Sequence, residues 1–156
     1  MSLFENVKKN FGLGCMRLPM KGDEVDCGEF CRMVDYFMES GFNYFGTARV
    51  YLGTKSESAI RDCIVRRYPR ESFILTDKLS TSLFNSEEEI RPLFELQLES
   101  CGVDYFDFYL MHAQSKNIFE KYKKCRAYEQ AMEFKKEGRI HKQNSGGNTH
   151  GKQSEI

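Results

Sequence analysis

An excess of charge of either sign is absent from this chain of 156 residues, in which 23 lysines and arginines stand against 23 aspartates and glutamates. No basic stripe stands out, so the electrostatic footprint of a nucleic-acid binder is missing. Net neutrality also removes one guard against self-association. No Cys-x-x-Cys pair occurs among the six cysteines, Cys15, Cys27, Cys31, Cys63, Cys101 and Cys125. Cys27 and Cys31 lie one helical turn apart, but no matching second pair completes a metal site. The thiols therefore read as reduced, mostly buried side chains of a cytoplasmic protein, and no metal is expected. The first ten residues lack the apolar run of a signal peptide. No stretch approaches membrane-spanning length. What is present is an ordinary globular composition, 40% hydrophobic and 13% aromatic, which suffices for a core.

That composition is ordered in a repeat. Short apolar segments at Phe11–Met16, Phe42–Ala48, Phe73–Leu79 and Tyr105–His112 read as strands, and a fifth begins near Ile140. Each gap carries a helical period. Phe30, Val34, Phe37 and Met38 form one apolar stripe, stopped by Gly41. Ile60, Cys63 and Ile64 form a second, ended by Pro69, and Ile90, Leu93, Phe94 and Leu98 a third, stopped by Gly102. Tyr128, Ala131 and Met132 suggest a shorter fourth, stopped by Gly138. Thr54 with Glu57, and Ser86 with Glu89, have the spacing of capping boxes. Pro92 conflicts with the second of these, because past the first turn it removes a donor and must kink or delay the helix.

Strand and helix alternating at constant period predict a parallel α/β sheet. Two architectures fit, an open doubly wound sheet and a (β/α) barrel. Gly12 and Gly14 supply two glycines of a dinucleotide-binding turn, but Arg17 stands where the third belongs, which weakens the open-sheet reading. Four βα units and a stub amount to half a barrel, since a full one takes roughly 250 residues. From Gln143 onward only Ile156 is apolar, so residues 143–156 read as a disordered polar tail behind a domain of residues 1–142.

In such folds the chemistry gathers at the carboxyl ends of the strands. Tyr51 follows the second strand, Lys78 ends the third and His112 ends the fourth, so all three share one edge. A tyrosine hydroxyl is a weak acid, with a usual pKa near 10, and a neighbouring ammonium favours its phenolate. An imidazole beside it can orient a carbonyl oxygen. Together they describe a proton donor for a carbonyl that receives hydride from a cofactor.

Several segments in series resemble the aldo-keto reductase family: Gly12-Leu13-Gly14-Cys15-Met16-Arg17-Leu18-Pro19, Asn43-Tyr44-Phe45-Gly46-Thr47-Ala48 with Tyr51, Gly53 and Lys55-Ser56-Glu57, Thr76-Asp77-Lys78-Leu79, and Asp104 to His112. The likeness runs from about Phe11 to Lys142 and is greatest to the bacterial branch whose longer members carry a carboxyl-terminal iron–sulfur segment. It implies a partial (β/α)8 TIM barrel and NADPH-dependent reduction of an aldehyde or ketone. It also implies Tyr51 as general acid, Lys78 as its partner, His112 as substrate-orienting residue, and Gly14, Cys15, Met16 and Gly46 beside NADP(H). The chain departs from the family at Gly46, where the resemblance leads one to expect an aspartate paired with the lysine. Asp77 is no substitute, because neighbours on a strand point to opposite faces. Without that carboxylate, desolvation favours a neutral Lys78, and turnover is expected to fall severely. Strands five to eight of the family have no counterpart, which points to a truncated or frameshifted reading frame. A half barrel is expected to leave the first and fourth strands as edges over a bare apolar interior, so a homo-oligomer through those edges is expected. The alternative function is a non-catalytic, self-associating or partner-binding remnant.

Overall fold

The computed structural model describes residues 6–144. Five strands form one parallel sheet: β1 (Gly12–Gly14), β4 (Tyr44–Gly46), β5 (Ile74–Leu79), β6 (Phe106–Met111) and β7 (Ile140–Asn144). A small antiparallel hairpin, β2 (Met20–Lys21) and β3 (Glu24–Val25), follows β1. The sheet order β1-β4-β5-β6-β7 is the order along the chain, with no reversal. A doubly wound sheet reverses at a switch point, so this order is that of a barrel wall. β6 is interior because β7 pairs with it, and the edges are β1 and β7 rather than the first and fourth strands. The cause is that Gly138 turns the chain (φ 76°) directly into Ile140, which pairs with Phe106. β7 includes Gln143 and Asn144; the remainder of the expected polar tail lies outside the described residues.

The helices are α1 (Cys27–Glu39), α2 (Lys55–Ile60), α3 (Ile90–Cys101), α4 (Lys116–Lys124) and α5 (Ala127–Lys136). A π turn at Arg61–Val65 continues α2. The expected apolar stripes cover one face of the sheet. Phe37 of α1 lies 5.1 Å from the ring of Phe45 on β4, and Phe94 of α3 lies 5.0 Å from Tyr109 on β6. Phe94 also stacks on Phe134 of α5 at 4.2 Å, so one core runs beneath the whole arc. Helix α4 escaped the sequence reading because its apolar stripe is narrow. Only Tyr122 of its side chains is fully buried.

Neither expected capping box forms. Thr54 has a left-handed backbone (φ 77°) and caps nothing, whereas an N-cap needs extended geometry. At α3 the helix starts at Ile90, after Ser86, and Glu89 reaches back to accept the Asn85 amide at 2.7 Å. The late start places Pro92 in the first turn, where its missing N–H has no intrahelical acceptor to lose. The side-chain cap that does form, Asp26 accepting the Glu29 amide at 3.0 Å, opens α1.

The opposite face of the sheet is not a bare apolar interior. Tyr44, Thr76 and Phe108 occupy it, with the Thr76 hydroxyl on the Tyr44 oxygen at 2.6 Å and the Tyr44 and Phe108 rings 5.8 Å apart. Thr76 and Phe108 are buried as a result, and none of the large exposed hydrophobics lies in β4, β5 or β6. The Tyr44 ring lies across Gly12, where an added Cβ would come within 2.6 Å of its Cδ1. An open cavity of about 380 Å³ bordered by Val7, Asn10, Phe11, Gly12 and Tyr44 sits at the amino ends of these strands, away from the residues singled out above.

Candidate active site

The carboxyl ends of β4, β5 and β6 bring the three expected residues together. Tyr51 opens a short 3-10 turn, Tyr51–Thr54, in which Leu52, Gly53 and Thr54 all have left-handed backbones (φ 52°, 59° and 77°). Two of these are not glycine, and such strain persists only where surrounding structure imposes it. The turn holds the Tyr51 hydroxyl 3.4 Å from His112 Nε2, with the two rings edge to face. Lys78 places its ammonium 4.7 Å from the centre of the Tyr51 ring.

Lys78 Nζ donates to the Thr47 carbonyl at 2.6 Å, and among the described residues no carboxylate pairs with it. Asp77 lies on the far side of the strand, fully buried, and touches the lysine only through its backbone, accepting the Lys78 amide at 2.7 Å. Gly46, where the resemblance leads one to expect an aspartate, pairs in register with Gly14 on β1 and Thr76 on β5. A Cβ built on Gly14 or Gly46 meets no heavy atom within 4 Å, so the two leave a flat, open floor beside Tyr51 and Lys78. Cys15 turns its thiol into the helix-side core, where burial pushes it up to about 12. Met16 is exposed. Of the loop residues expected beside a cofactor, then, only Gly14 and Met16 offer surface.

Two supports went unread in the sequence. Ser80 Oγ lies 2.7 Å from His112 Nδ1 and so sets the imidazole. Its position two residues beyond Lys78 on an extended chain was the available signal. Burial, and then the charge of Lys78, hold the His112 pKa below its ordinary value, so the ring is neutral at neutral pH. Tyr122 of α4 lies with its hydroxyl 2.5 Å from the Leu79 carbonyl and 3.0 Å from that of His112, tying the ends of β5 and β6 together. No local pattern marks that contact, because α4 is remote from Leu79 in the chain.

Behind the sheet lies a second polar group. Glu57 of α2 is fully buried against Asp77, and its Oε2 accepts from Arg49 at 2.5 Å. Burial raises the pKa of both carboxyls, and their mutual repulsion adds to the rise at Asp77. Glu57 Oε1 has no hydrogen-bond donor. Gln97 adds a side-chain hydrogen bond to Glu57, and a proton shared between the two carboxyls would leave the pair a single negative charge facing Arg49.

A family model described as the aldo/keto reductase family matches residues 10–143. Over 106 residues the chain is 33% identical to a 4-dihydromethyl-trisporate dehydrogenase of Mucor mucedo, covering 65% of this chain and 30% of that protein. Over 136 residues it is 30% identical to dihydrodiol dehydrogenase 3 of Bos taurus, covering 74% and 41%. The chain thus spans less than half the length of these curated relatives. An aldo-keto reductase structure from Pseudomonas aeruginosa superposes with a TM-score of 0.73 at 19% identity, over 87% of this chain and 54% of that one, which is a likeness of fold.

Proposed function

Because this chain belongs to the aldo/keto reductase family, we propose that it carries the proton-donor half of a nicotinamide-dependent carbonyl reduction, with Tyr51 as general acid. The observation that supports this most is the meeting of Tyr51, Lys78 and His112 at one sheet edge, with the hydroxyl 3.4 Å from the imidazole and the ammonium 4.7 Å from the phenol ring.

The cofactor class comes from the family, and the residues present fit it. The glycine floor of Gly14 and Gly46 has room for a flat ring, with Met16 at its rim. NADP(H), when bound, supplies the hydride. The rest of the chemistry falls to side chains. Ser80 donating to Nδ1 leaves the His112 proton on Nε2, aimed at the Tyr51 oxygen and the space beside it, where a substrate carbonyl oxygen would accept a hydrogen bond from that N–H, the proton staying on the imidazole. Tyr51 then gives its proton to that oxygen as negative charge develops there. Lys78 stabilises the charge left on the tyrosine, and the Thr47 carbonyl holds the ammonium in place.

The substrate is accordingly a small aldehyde or ketone, and the setting a reducing, cytoplasmic one, in keeping with the six unpaired cysteines. Turnover by this chain alone is weak in this reading, because Gly46 leaves Lys78 without a carboxylate. The exposed edges β1 and β7 are where further strands, from a second copy or otherwise, would pair.

The test is Gly46→Asp, which the open space at Gly46 admits. NADPH binding is followed by nicotinamide fluorescence, and reduction of a panel of aldehydes by NADPH consumption. Gly46→Asp should tighten binding or raise turnover at least tenfold, and Tyr51→Phe in that background should remove turnover while keeping the binding. If Gly46→Asp changes neither quantity, the catalytic assignment fails.

A further inference from the structure

Among the described residues the Lys78 ammonium has one hydrogen-bond acceptor, the Thr47 carbonyl at 2.6 Å. A lysine is a point charge on a flexible four-carbon stem, so the direction of that carbonyl decides whether the charge stays beside the Tyr51 ring. The main chain of Lys78 is fixed separately, by its place in β5 and by Gln97, which donates to its carbonyl at 3.0 Å. What remains adjustable is the side chain and the carbonyl that it meets.

Thr47 lies one residue past the end of β4. The peptide before it is pinned on both sides: the Gly46 carbonyl accepts the Cys15 N–H at 2.8 Å, and the Thr47 N–H donates to the Thr76 carbonyl at 2.9 Å. The peptide after it carries the carbonyl that meets the ammonium, and that peptide turns about Thr47 itself. The Thr47 side chain is therefore its handle, and a β-branched side chain is stiff at χ1. Its Oγ1 lies 2.7 Å from Ser56 Oγ, and Ser56, in α2, donates to the Cys15 carbonyl at 2.8 Å. A carbonyl can only accept and a serine hydroxyl has one proton, so Thr47 is the donor to Ser56. Both side chains are fully buried, so water does not replace either bond. The bonds seat α2 on the ends of β1 and β4, and they finish on the residue that holds the ammonium.

We propose that Thr47 and Ser56 are positioning residues for Lys78. The Thr47 hydroxyl, held by Ser56, fixes the rotation of the peptide whose carbonyl keeps the ammonium 4.7 Å from the centre of the Tyr51 ring. The consequence for turnover rests on the reading of Tyr51 as general acid; the placement of the ammonium does not. Neither hydroxyl reaches substrate, because both are buried behind the strand ends. Their loss therefore acts on kcat, through the charge beside the proton donor, and leaves KM alone.

The experiment records NMR spectra of the full-length chain with isotope-labelled lysine, in which the ring current of Tyr51 shifts the Lys78 side-chain resonances. Lys78→Met identifies those resonances by their loss, and Tyr51→Leu gives their unshifted positions. Thr47→Val keeps the shape of the side chain without its hydroxyl and should move them at least halfway to the unshifted positions. Thr47→Ser keeps the hydroxyl and should leave them near native. Should Thr47→Val not fold, Ser56→Ala decides by the same measure. Unmoved Lys78 resonances alongside a lowered urea midpoint would mean that the hydroxyls only seat α2, and would overturn the proposal. So would a Thr47→Ser spectrum that matches Thr47→Val. With NADPH and an aldehyde, Thr47→Val should lower kcat about tenfold at constant KM, and an unchanged kcat in a chain that does turn over also overturns it. The spectra need neither cofactor nor turnover. Displaced Lys78 resonances with no turnover in any variant would support the positioning and count against the reductase reading alone.

Discussion

Replacing Asp77 with asparagine removes one of two carboxyls that lie against each other in the core, both fully buried. In the native protein burial raises both pKa values, and the fold therefore holds a proton that the unfolded chain releases above about pH 4. Where the native state binds the extra proton, stability falls as pH rises, by about 1.4 kcal/mol per pH unit for one proton. Each pH unit above about pH 5 over which the native pair keeps that proton therefore lowers Tm by roughly 3–5 °C for a domain of this size. His112 works in the opposite sense near its ordinary range, because its lowered pKa makes the fold disfavour its protonation. The quantity to measure is accordingly the difference between native and variant, in which His112 cancels. Surface carboxylates such as Asp35 and Glu137, held below the usual range by Arg67 with Tyr68 and by Arg91, act at lower pH than this window. In Asp77→Asn the amide can donate to the bare Glu57 Oε1, and Glu57 ionises opposite Arg49 without a like charge beside it. Thermal melts by circular dichroism at several pH values should show the native Tm falling more steeply than that of the variant. Parallel curves would refute the shared proton.

Other outcomes follow from packing and from the strand ends. Phe94→Ala, which empties the site between Phe106, Tyr109 and Phe134, should cost about 3–5 kcal/mol, read from the urea midpoint. Gly12→Ala drives a methyl into the Tyr44 ring and should cost about 1–3 kcal/mol; adding Tyr44→Ala should recover part of it, and strictly additive losses would count against the contact. Tyr122→Phe deprives the Leu79 and His112 carbonyls of the hydroxyl they share and should cost about 1–3 kcal/mol, with the His112 ring resonances moving in NMR spectra. Unmoved resonances would mean that Tyr122 does not position His112.

Much of the fold was legible because its signals are local. The regular spacing of apolar segments marked β4, β5, β6 and the start of β7, and Gly41, Gly102 and Gly138 all have the positive φ of helix-ending glycines. The errors came where a local pattern competed with the chain path. Thr54 has the residue type of an N-cap, but the turn that holds Tyr51 forces it left-handed. The apolar interior was overestimated because side-chain alternation alone does not show that Tyr44 folds over its own sheet to meet Thr76.

For the candidate site the division is similar. By itself the sequence determined that Tyr51, Lys78 and His112 share a sheet edge, because a parallel βα repeat puts every strand end on one side. It also determined that Asp77 faces away from Lys78, because residues alternate along a strand. Only the tertiary structure decided which groups meet there: Thr47 with the Lys78 ammonium, Ser80 with the imidazole, Tyr122 with two strand ends, and, behind the sheet, Glu57 with Asp77. The physical reason is that alternation fixes the face on which a side chain lies, whereas a hydrogen bond needs two groups within about 3.5 Å, a distance set by how the helices settle on the sheet.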